Sequence, residues 1–268
     1  MVIGNREFDI ANKCYIMGIL NVTSDSFSDG GKWENFDRAL RHTEEMIESG
    51  ADIIDVGGES TRPGYVEISE REEIEKVAPI IEAIKIRFDI PVSIDSYKSA
   101  VAQAGLAAGA VLVNDIWGLK HDPKMGKVIA ENGAACCLMQ NRTITDYSDF
   151  LLDLLSDLRE SVDIALAAGI ASDKIILDPG VGFAFTHEMN LIAMNRLDLI
   201  KELGYPVLLG ASRKSVIGNV LGLPVTERLE GTLATTVVAV MRGCSFVRVH
   251  DVKESKRAIM MTEAILKS

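Results

Sequence analysis

The chain has 268 residues, 47 % of them apolar and 25 % charged, a globular composition that excludes intrinsic disorder and fibrous repeats. Basic residues number 28 and acidic residues 39, a formal net charge of −11, so the surface as a whole repels nucleic acid and anionic membranes. Any anionic ligand must therefore be held by a local cluster of cations. The four cysteines, Cys14, Cys136, Cys137 and Cys244, sit in apolar runs without metal-ligand spacing and read as buried reduced thiols of a cytoplasmic protein. The first dozen residues lack a basic start and an apolar stretch, and no apolar run reaches membrane length, so neither a signal peptide nor a membrane span is expected.

The predicted elements follow one cadence. A first strand over 15–20 precedes a helix whose Phe36, Ala39, Leu40, Thr43, Met46 and Ile47 line one face. That helix stops at Gly50, and the strand-like run ADIIDVGGE follows. Ser69 and Glu72 form a capping box ahead of Ile74, Val77, Ile81 and Ile84, and a strand is expected over 91–95. After Gly109 comes AVLVND, and then Asp122 and Pro123 supply an N-cap and a first-turn proline for a fourth helix. Gly133 opens AACCLMQN, where Cys136 and Cys137 face opposite sides of a strand. Gly169, Gly204 and Gly243 open three more runs, and Asp251 with Glu254 caps the last helix. These glycines read as helix C′ positions in a left-handed backbone, and the short Ile/Val/Leu-rich runs after them read as strands buried on both faces. Eight strands alternating with eight helices imply right-handed crossovers and a parallel sheet. At this length the expected fold class is α/β, a single-domain (β/α)8 TIM barrel spanning 1–268, with extended βα loops 1 and 2 over 21–31 and 57–64. No GxGxxG or GxxxxGK[ST] motif is present to favour a dinucleotide or P-loop fold.

In such a barrel chemistry gathers at the C-terminal ends of the strands. Those ends carry Asn21, Asp55 with Glu59, Asp95, Asn114 with Asp115, Met139 with Gln140, Asp178, the run Ser212, Arg213 and Lys214, and Arg248 with His250. Polar groups at strand ends cost free energy unless partnered, so this concentration points to a ligand. The aspartates and asparagines suit the donor-and-acceptor edge of a nitrogen-rich heterocycle, because a carboxylate accepts two parallel N–H bonds. Arg62, Lys214, Arg248 and His250 make a second, cationic part fit for phosphate or carboxylate. Arg248 and His250 share one face of their strand.

Seven segments together carry a resemblance to the dihydropteroate synthase family along nearly the whole chain. They are MGILNVTSDSFSDGG at 17–31, DIIDVGGESTRPG at 52–64, IDS at 94–96, ND at 114–115, DPGVGF at 178–183, GASRKS at 210–215 and RVHDV at 248–252. The resemblance implies a homodimeric (β/α)8 enzyme. It would join 6-hydroxymethyl-7,8-dihydropterin diphosphate to p-aminobenzoate, releasing pyrophosphate with Mg²⁺ as cofactor. At matching positions Asp95, Asn114, Asp178 and Lys214 would bind the pterin. Asn21, Arg248 and His250 would hold the diphosphate, with Asn21 also placing the metal. Thr61, Arg62, Phe183 and Ser215 would shape the p-aminobenzoate side. Catalysis would fall to Asp95, Lys214, Arg248 and His250, through a loose C–O cleavage and attack by an arylamine that needs no prior deprotonation. Three positions depart from the family pattern: Ser24 where proline is usual, Gln140 where histidine is common, and Phe185 where lysine is common. The alternatives are a pterin-binding methyltransferase of the same fold and a non-catalytic pterin-binding homologue. Methyl transfer needs neither the diphosphate-binding residues nor the first loop, and a non-catalytic protein would not need Lys214, Arg248 and His250.

Overall fold

The computed structural model describes residues 1–22, 32–59 and 67–268, with side chains described from residue 35 onward in the first helix. Eight parallel strands form the central sheet. They are β3 (Tyr15–Asn21), β4 (Ile53–Gly57), β5 (Val92–Asp95), β6 (Leu112–Asp115), β7 (Ala135–Met139), β8 (Ile175–Asp178), β9 (Leu208–Leu209) and β10 (Phe246–Val249). The order β8-β7-β6-β5-β4-β3-β10-β9 closes through a parallel bridge between Leu177 and Val207, which makes the sheet a barrel. Helices α1 (Lys32–Glu48), α2 (Glu70–Arg87), α3 (Ser99–Ala107), α4 (Met125–Glu131), α5 (Phe150–Ala167), α6 (His187–Asn195), α7 (Leu197–Lys201), α8 (Ser215–Leu221), α9 (Leu229–Met241) and α10 (Val252–Leu266) surround it. The expected (β/α)8 architecture is present. Its eight helices become ten among the described residues, because the span before β9 breaks at Arg196 and two helices separate β9 from β10.

The six glycines that open the strand runs all have positive φ, from +59° at Gly133 to +111° at Gly109, as the helix-stop reading requires. Cys136 packs in the layer between strands and helices and Cys137 packs inside the barrel, and all four cysteines are buried and free. Among the described residues no helix is long and apolar enough to cross a membrane.

The caps differ in detail from the expectation. Ser69 caps α2 by accepting from the Glu72 N–H at 3.2 Å, but the Glu72 carboxylate turns away to pair with Lys76 at 2.8 Å. Asp122 holds the turn before α4 through the Lys124 N–H at 2.9 Å, and Lys124 is the residue at the N-cap. Asp251 precedes α10, yet its side chain makes no cap bond because Arg213 takes it, with Arg213 Nε at 2.9 Å.

The strand period of two decides what faces the barrel axis. Met17, Ile53, Leu112, Cys137, Ile176, Leu208 and Phe246 form an apolar lower layer. It is closed from beneath by Ile3 and Phe8 of a hairpin that the sequence reading did not anticipate, β1 (Val2–Ile3) and β2 (Arg6–Glu7). Two residues further along the strands, the same inward face carries Asp55, Asp95, Asn114, Asp178, Gly210 and Arg248. The barrel is therefore apolar at its floor and polar at its mouth. The expected loop extensions after β3 and β4 have their central residues, 23–31 and 60–66, outside the described residues, and with them Ser24, Thr61 and Arg62.

Candidate active site

Arg248 lies in the middle of the carboxylates. Its Nε donates to Asp55 Oδ2 at 2.6 Å and its terminal nitrogen pairs with Asp95 Oδ2. The sequence reading set a cationic part of the rim apart from the acidic part. That division is corrected here, because a long arginine on an inward position reaches across the barrel to the nearest buried anions. Asp55 also accepts from Asn114 Nδ2 at 3.1 Å, and its other oxygen is buried with no hydrogen-bond partner among the described residues. A buried carboxylate holding two donors on one oxygen is an anchor. Sequence reading placed Asp55 among the strand-end carboxylates but assigned it to no substrate. The signal was its inward register beside Ser93.

Two glycines at strand ends mark how closely the polar groups gather. A Cβ on Gly210 would lie 3.4 Å from Asp178 Oδ2 and 3.9 Å from both Lys214 Nζ and Arg248 Cβ. On another side, a Cβ on Gly57 would lie 3.5 Å from Asp95 Oδ2 and 3.6 Å from Asn21 Oδ1. These approaches bring Asn21, Asp95, Asp178, Lys214 and Arg248 around one space, with Asn114 joined through Asp55. Asp178 spends one oxygen on the Gly180 N–H at 2.8 Å and keeps Oδ2 toward the pocket. Lys214 donates to the Val181 carbonyl, and its ammonium stands 4.7 Å from the centre of the Phe183 ring. Tyr97, Ile116 and Met139, with Trp117 and Phe183 against them, make an apolar wall on the β5–β8 side. Tyr97 and Ile116 were missed in the sequence because they lie just past strand ends, where no periodicity marks them.

His250 lies just beyond the end of β10. Its Nδ1 lies 3.0 Å from Ser212 Oγ, which also accepts from the His250 backbone N–H at 3.2 Å. Between Ser212 and Lys214, Arg213 holds a left-handed backbone with φ +57°, an uncommon conformation for a residue with a Cβ. Its pair with Asp251 and the bond from its N–H to Thr232 Oγ1 at 3.0 Å fix that turn and so aim its two neighbours. Ser215, exposed at the start of α8, follows directly.

Three other strand-end polar groups do not join the pocket. Asp115 turns outward to the N–H groups of Trp117 and Leu119, each at 2.8 Å. Burial pushes its carboxyl up to about 6 against those two donors. Glu59 accepts from Lys98 at 2.7 Å and Tyr97 at 2.8 Å, and Lys98 also reaches Glu73 at 2.9 Å. Gln140 donates to Tyr147 and to Asp157, each at 2.9 Å.

The electrostatics of the pocket follow from its depth. Burial pushes the Asp95 carboxyl up to about 7, although Arg248 opposes the rise. Burial likewise raises Asp178, opposed by Lys214 and by the Gly180 N–H. Lys214 is pushed down to about 8 by burial, with Asp178 holding it from falling further. Burial alone would lower Arg248, but Asp95 and Asp55 outweigh it and hold the guanidinium above its ordinary value. The arrangement offers carboxylate and amide edges to a polar heterocycle, an apolar wall to its ring, and cations at the mouth.

A parallel barrel with such a mouth is a fold that binds a small heterocycle and an anion together, and residues 17–250 match the family model described as pterin binding enzyme. A dihydropteroate synthase from Clostridium beijerinckii is 60 % identical over the full length of both chains. A crystal structure of the dihydropteroate synthase of Clostridium difficile, determined in the presence of pteroic acid, superposes with a TM-score of 0.95 at 48 % identity, over 98 % of this chain and 100 % of that one. The Xanthomonas albilineans enzyme with 4-aminobenzoic acid superposes with a TM-score of 0.92 at 35 % identity, over 96 % of this chain and 95 % of that one. The chain belongs to the pterin-binding enzymes, and within them to the dihydropteroate synthase family of transferases.

Proposed function

We propose that this chain condenses 6-hydroxymethyl-7,8-dihydropterin diphosphate with p-aminobenzoate to give 7,8-dihydropteroate and pyrophosphate. The observation that carries the reading is the meeting of Asp178, Lys214, Asp95 and Arg248 at the barrel mouth beside Gly57 and Gly210. Asp178 presents a free oxygen to the amino-amide edge of the pterin, and Asn114 and Lys214 add a donor and a cation beside it. The wall of Ile116, Met139 and Phe183 gives the rings an apolar surface. Arg248 and His250 meet the diphosphate, and Phe183 and Ser215 serve the p-aminobenzoate side, the role that the resemblance also gives to Thr61 and Arg62 outside the described residues.

In the reaction the bond from the exocyclic carbon to the diphosphate oxygen breaks, the arylamine nitrogen bonds to that carbon, and the nitrogen then loses a proton. Arg248 and His250 stabilise the charge gathering on the departing diphosphate. Asp95 stabilises positive charge at the carbon. Asn21, half-buried beside Asp95, offers an amide oxygen to Mg²⁺, an ion that takes few protein ligands and fills its shell with water and phosphate oxygens. Bound there, Mg²⁺ supplies positive charge against the leaving group. Exposed Leu221, Met241, Met260, Met261 and Ile265 on α8, α9 and α10 support assembly as a homodimer, and the free buried thiols support a cytoplasmic setting. Pyrophosphate release tests the reading: turnover is expected only with the pterin diphosphate, p-aminobenzoate and Mg²⁺ together. Release at the same rate without p-aminobenzoate, or none at all, overturns it.

A further inference from the structure

Gln140 and Phe185, two positions that depart from the family pattern, meet on the same side chain. Gln140 Nε2 donates to the Tyr147 hydroxyl at 2.9 Å, and the Phe185 ring lies 5.8 Å from the Tyr147 ring and 4.9 Å from that of Phe150, edge-on to both. Tyr147 and Phe150 are themselves edge-on at 5.3 Å. The trio is anchored behind by Arg142, 4.3 Å over Tyr147 and paired with Asp157 at 2.7 Å, which also accepts from Gln140. Phe185 is thus a buried plug joining residues 179–186, after β8, to the start of α5.

That short segment sets the geometry of two site residues. The Phe185 N–H donates to the Phe183 carbonyl at 2.8 Å, and the Phe183 N–H donates to the Gly180 carbonyl at 3.2 Å, so the backbone turns tightly between the plug and the pocket. Val181, within the turn, accepts from the Lys214 ammonium, and the Phe183 ring lies beneath it. The Gln140 carbonyl packs so closely on Gly180 that no Cβ fits there. A tight turn with one end tied to a strand and the other to an aromatic plug has little freedom to move its middle.

We infer that Phe185 is a positioning residue for the second substrate: its ring, wedged between Tyr147 and Phe150, fixes the turn that aims Phe183 at p-aminobenzoate. The inference rests on the proposed placement of Phe183 at that substrate. The pterin edge depends less on the plug, because Asp95, Asn114 and Asp178 stand on strands and only Lys214 and Phe183 touch the turn.

Steady-state kinetics and calorimetry on the full chain test it. Phe185→Leu, which removes both edge-to-face pairs, raises the KM for p-aminobenzoate about fivefold and leaves the Kd of 6-hydroxymethylpterin within about twofold. Phe185→Tyr, which keeps the ring, restores the KM. Tyr147→Leu, farther from the pocket, raises the KM as Phe185→Leu does, and the double variant is no worse than either alone. Phe183→Leu is the control for the underlying reading. If it raises the KM and Phe185→Leu does not, or if the Phe185 and Tyr147 losses multiply, the plug is only structural and the inference is overturned. If Phe183→Leu leaves the KM unchanged, the placement of Phe183 fails and takes the inference with it.

Discussion

Asp55→Asn separates the residue that holds Arg248 from the residue that exchanges it. Asp55 is fully buried, whereas the Asp95 side chain keeps 9 % exposure at the pocket. The one oxygen of Asp55 that is bonded serves Arg248 Nε and Asn114 together. In the variant, the amide oxygen can take that place only by turning its NH2 into the buried position of Oδ1, where the carboxylate makes no hydrogen bond and the amide needs an acceptor. A charge-assisted bond of about 1.5–3 kcal/mol then becomes a neutral-acceptor bond of about 1 kcal/mol, and a buried unpaired donor adds about 1–3 kcal/mol. The opposite rotamer is worse, because it sets donor against donor. The expected loss of folding stability is therefore about 2–4 kcal/mol. Asp95→Asn is different. Burial already pushes that carboxyl up to about 7, above its unfolded value, so near neutrality its ionised form costs folding stability rather than adding it, and the expected loss is under about 1 kcal/mol.

Urea unfolding of both variants at pH 7, followed by circular dichroism, measures the first half of the contrast. Ligand affinity measures the second. With its elbow released, Arg248 loses orientation toward the diphosphate, so Asp55→Asn weakens the diphosphate ester about tenfold more than 6-hydroxymethylpterin. Asp95→Asn weakens both ligands. If Asp55→Asn proves no more destabilising than Asp95→Asn, or weakens both ligands equally, Asp55 is not the anchor.

Asp178→Asn sets a donor against the donor edge of the pterin and weakens 6-hydroxymethylpterin by about 2–4 kcal/mol, roughly 30-fold or more, by calorimetry. Ser212→Ala removes the Ser212 contact of the His250 ring and raises the KM for the pterin diphosphate several-fold, about 1 kcal/mol, while the affinity for 6-hydroxymethylpterin holds. The pH profile of kcat/KM for the pterin diphosphate rises through about 7, as Asp95 ionises late, and falls above about 8, as Lys214 loses its proton early. Lys214→Arg moves the falling limb to higher pH, and an unmoved limb assigns it to another group.

Much of the barrel was legible because its physics is local. Helices that stop at a left-handed glycine, and strands buried on both faces, leave a cadence that a single chain displays. The period of two then turns a strand end into a list of inward residues, which is why Asp95, Asn114 and Asp178 were found together. Reach is not periodic. Arg248 was assigned to a separate cationic part because register fixes where a Cβ points and says nothing of where a long side chain ends. The hairpin that closes the barrel floor has strands of two residues, too short to alternate. Asp251 looked like a cap by spacing, and only tertiary contact shows Arg213 taking it. The plug at Phe185 was equally hidden, since its partners lie 35 and 38 positions earlier on a different loop and helix.

The charge of the pocket bears on how a chain of net charge −11 holds a strongly anionic substrate. The inward described groups are three carboxylates, Asp55, Asp95 and Asp178, against two cations, Lys214 and Arg248, or 2 − 3 = −1 with all ionised. Partial protonation of Asp95 near neutrality brings this closer to zero, still without a surplus to attract a diphosphate. The neutral pterin meets no such difficulty, because its edge satisfies carboxylate and amide groups directly. Positive charge beyond these described groups is therefore needed, and Mg²⁺ arriving with the diphosphate is the proposed carrier. Calorimetry with and without a chelator tests this apart from turnover. Removing Mg²⁺ is expected to weaken the diphosphate ester about tenfold or more, about 1.4 kcal/mol at least, and to leave 6-hydroxymethylpterin unchanged. Raising the salt concentration weakens only the ester. Equal affinity of the ester with and without Mg²⁺ would show that Arg248, His250 and the loop cations supply enough charge alone.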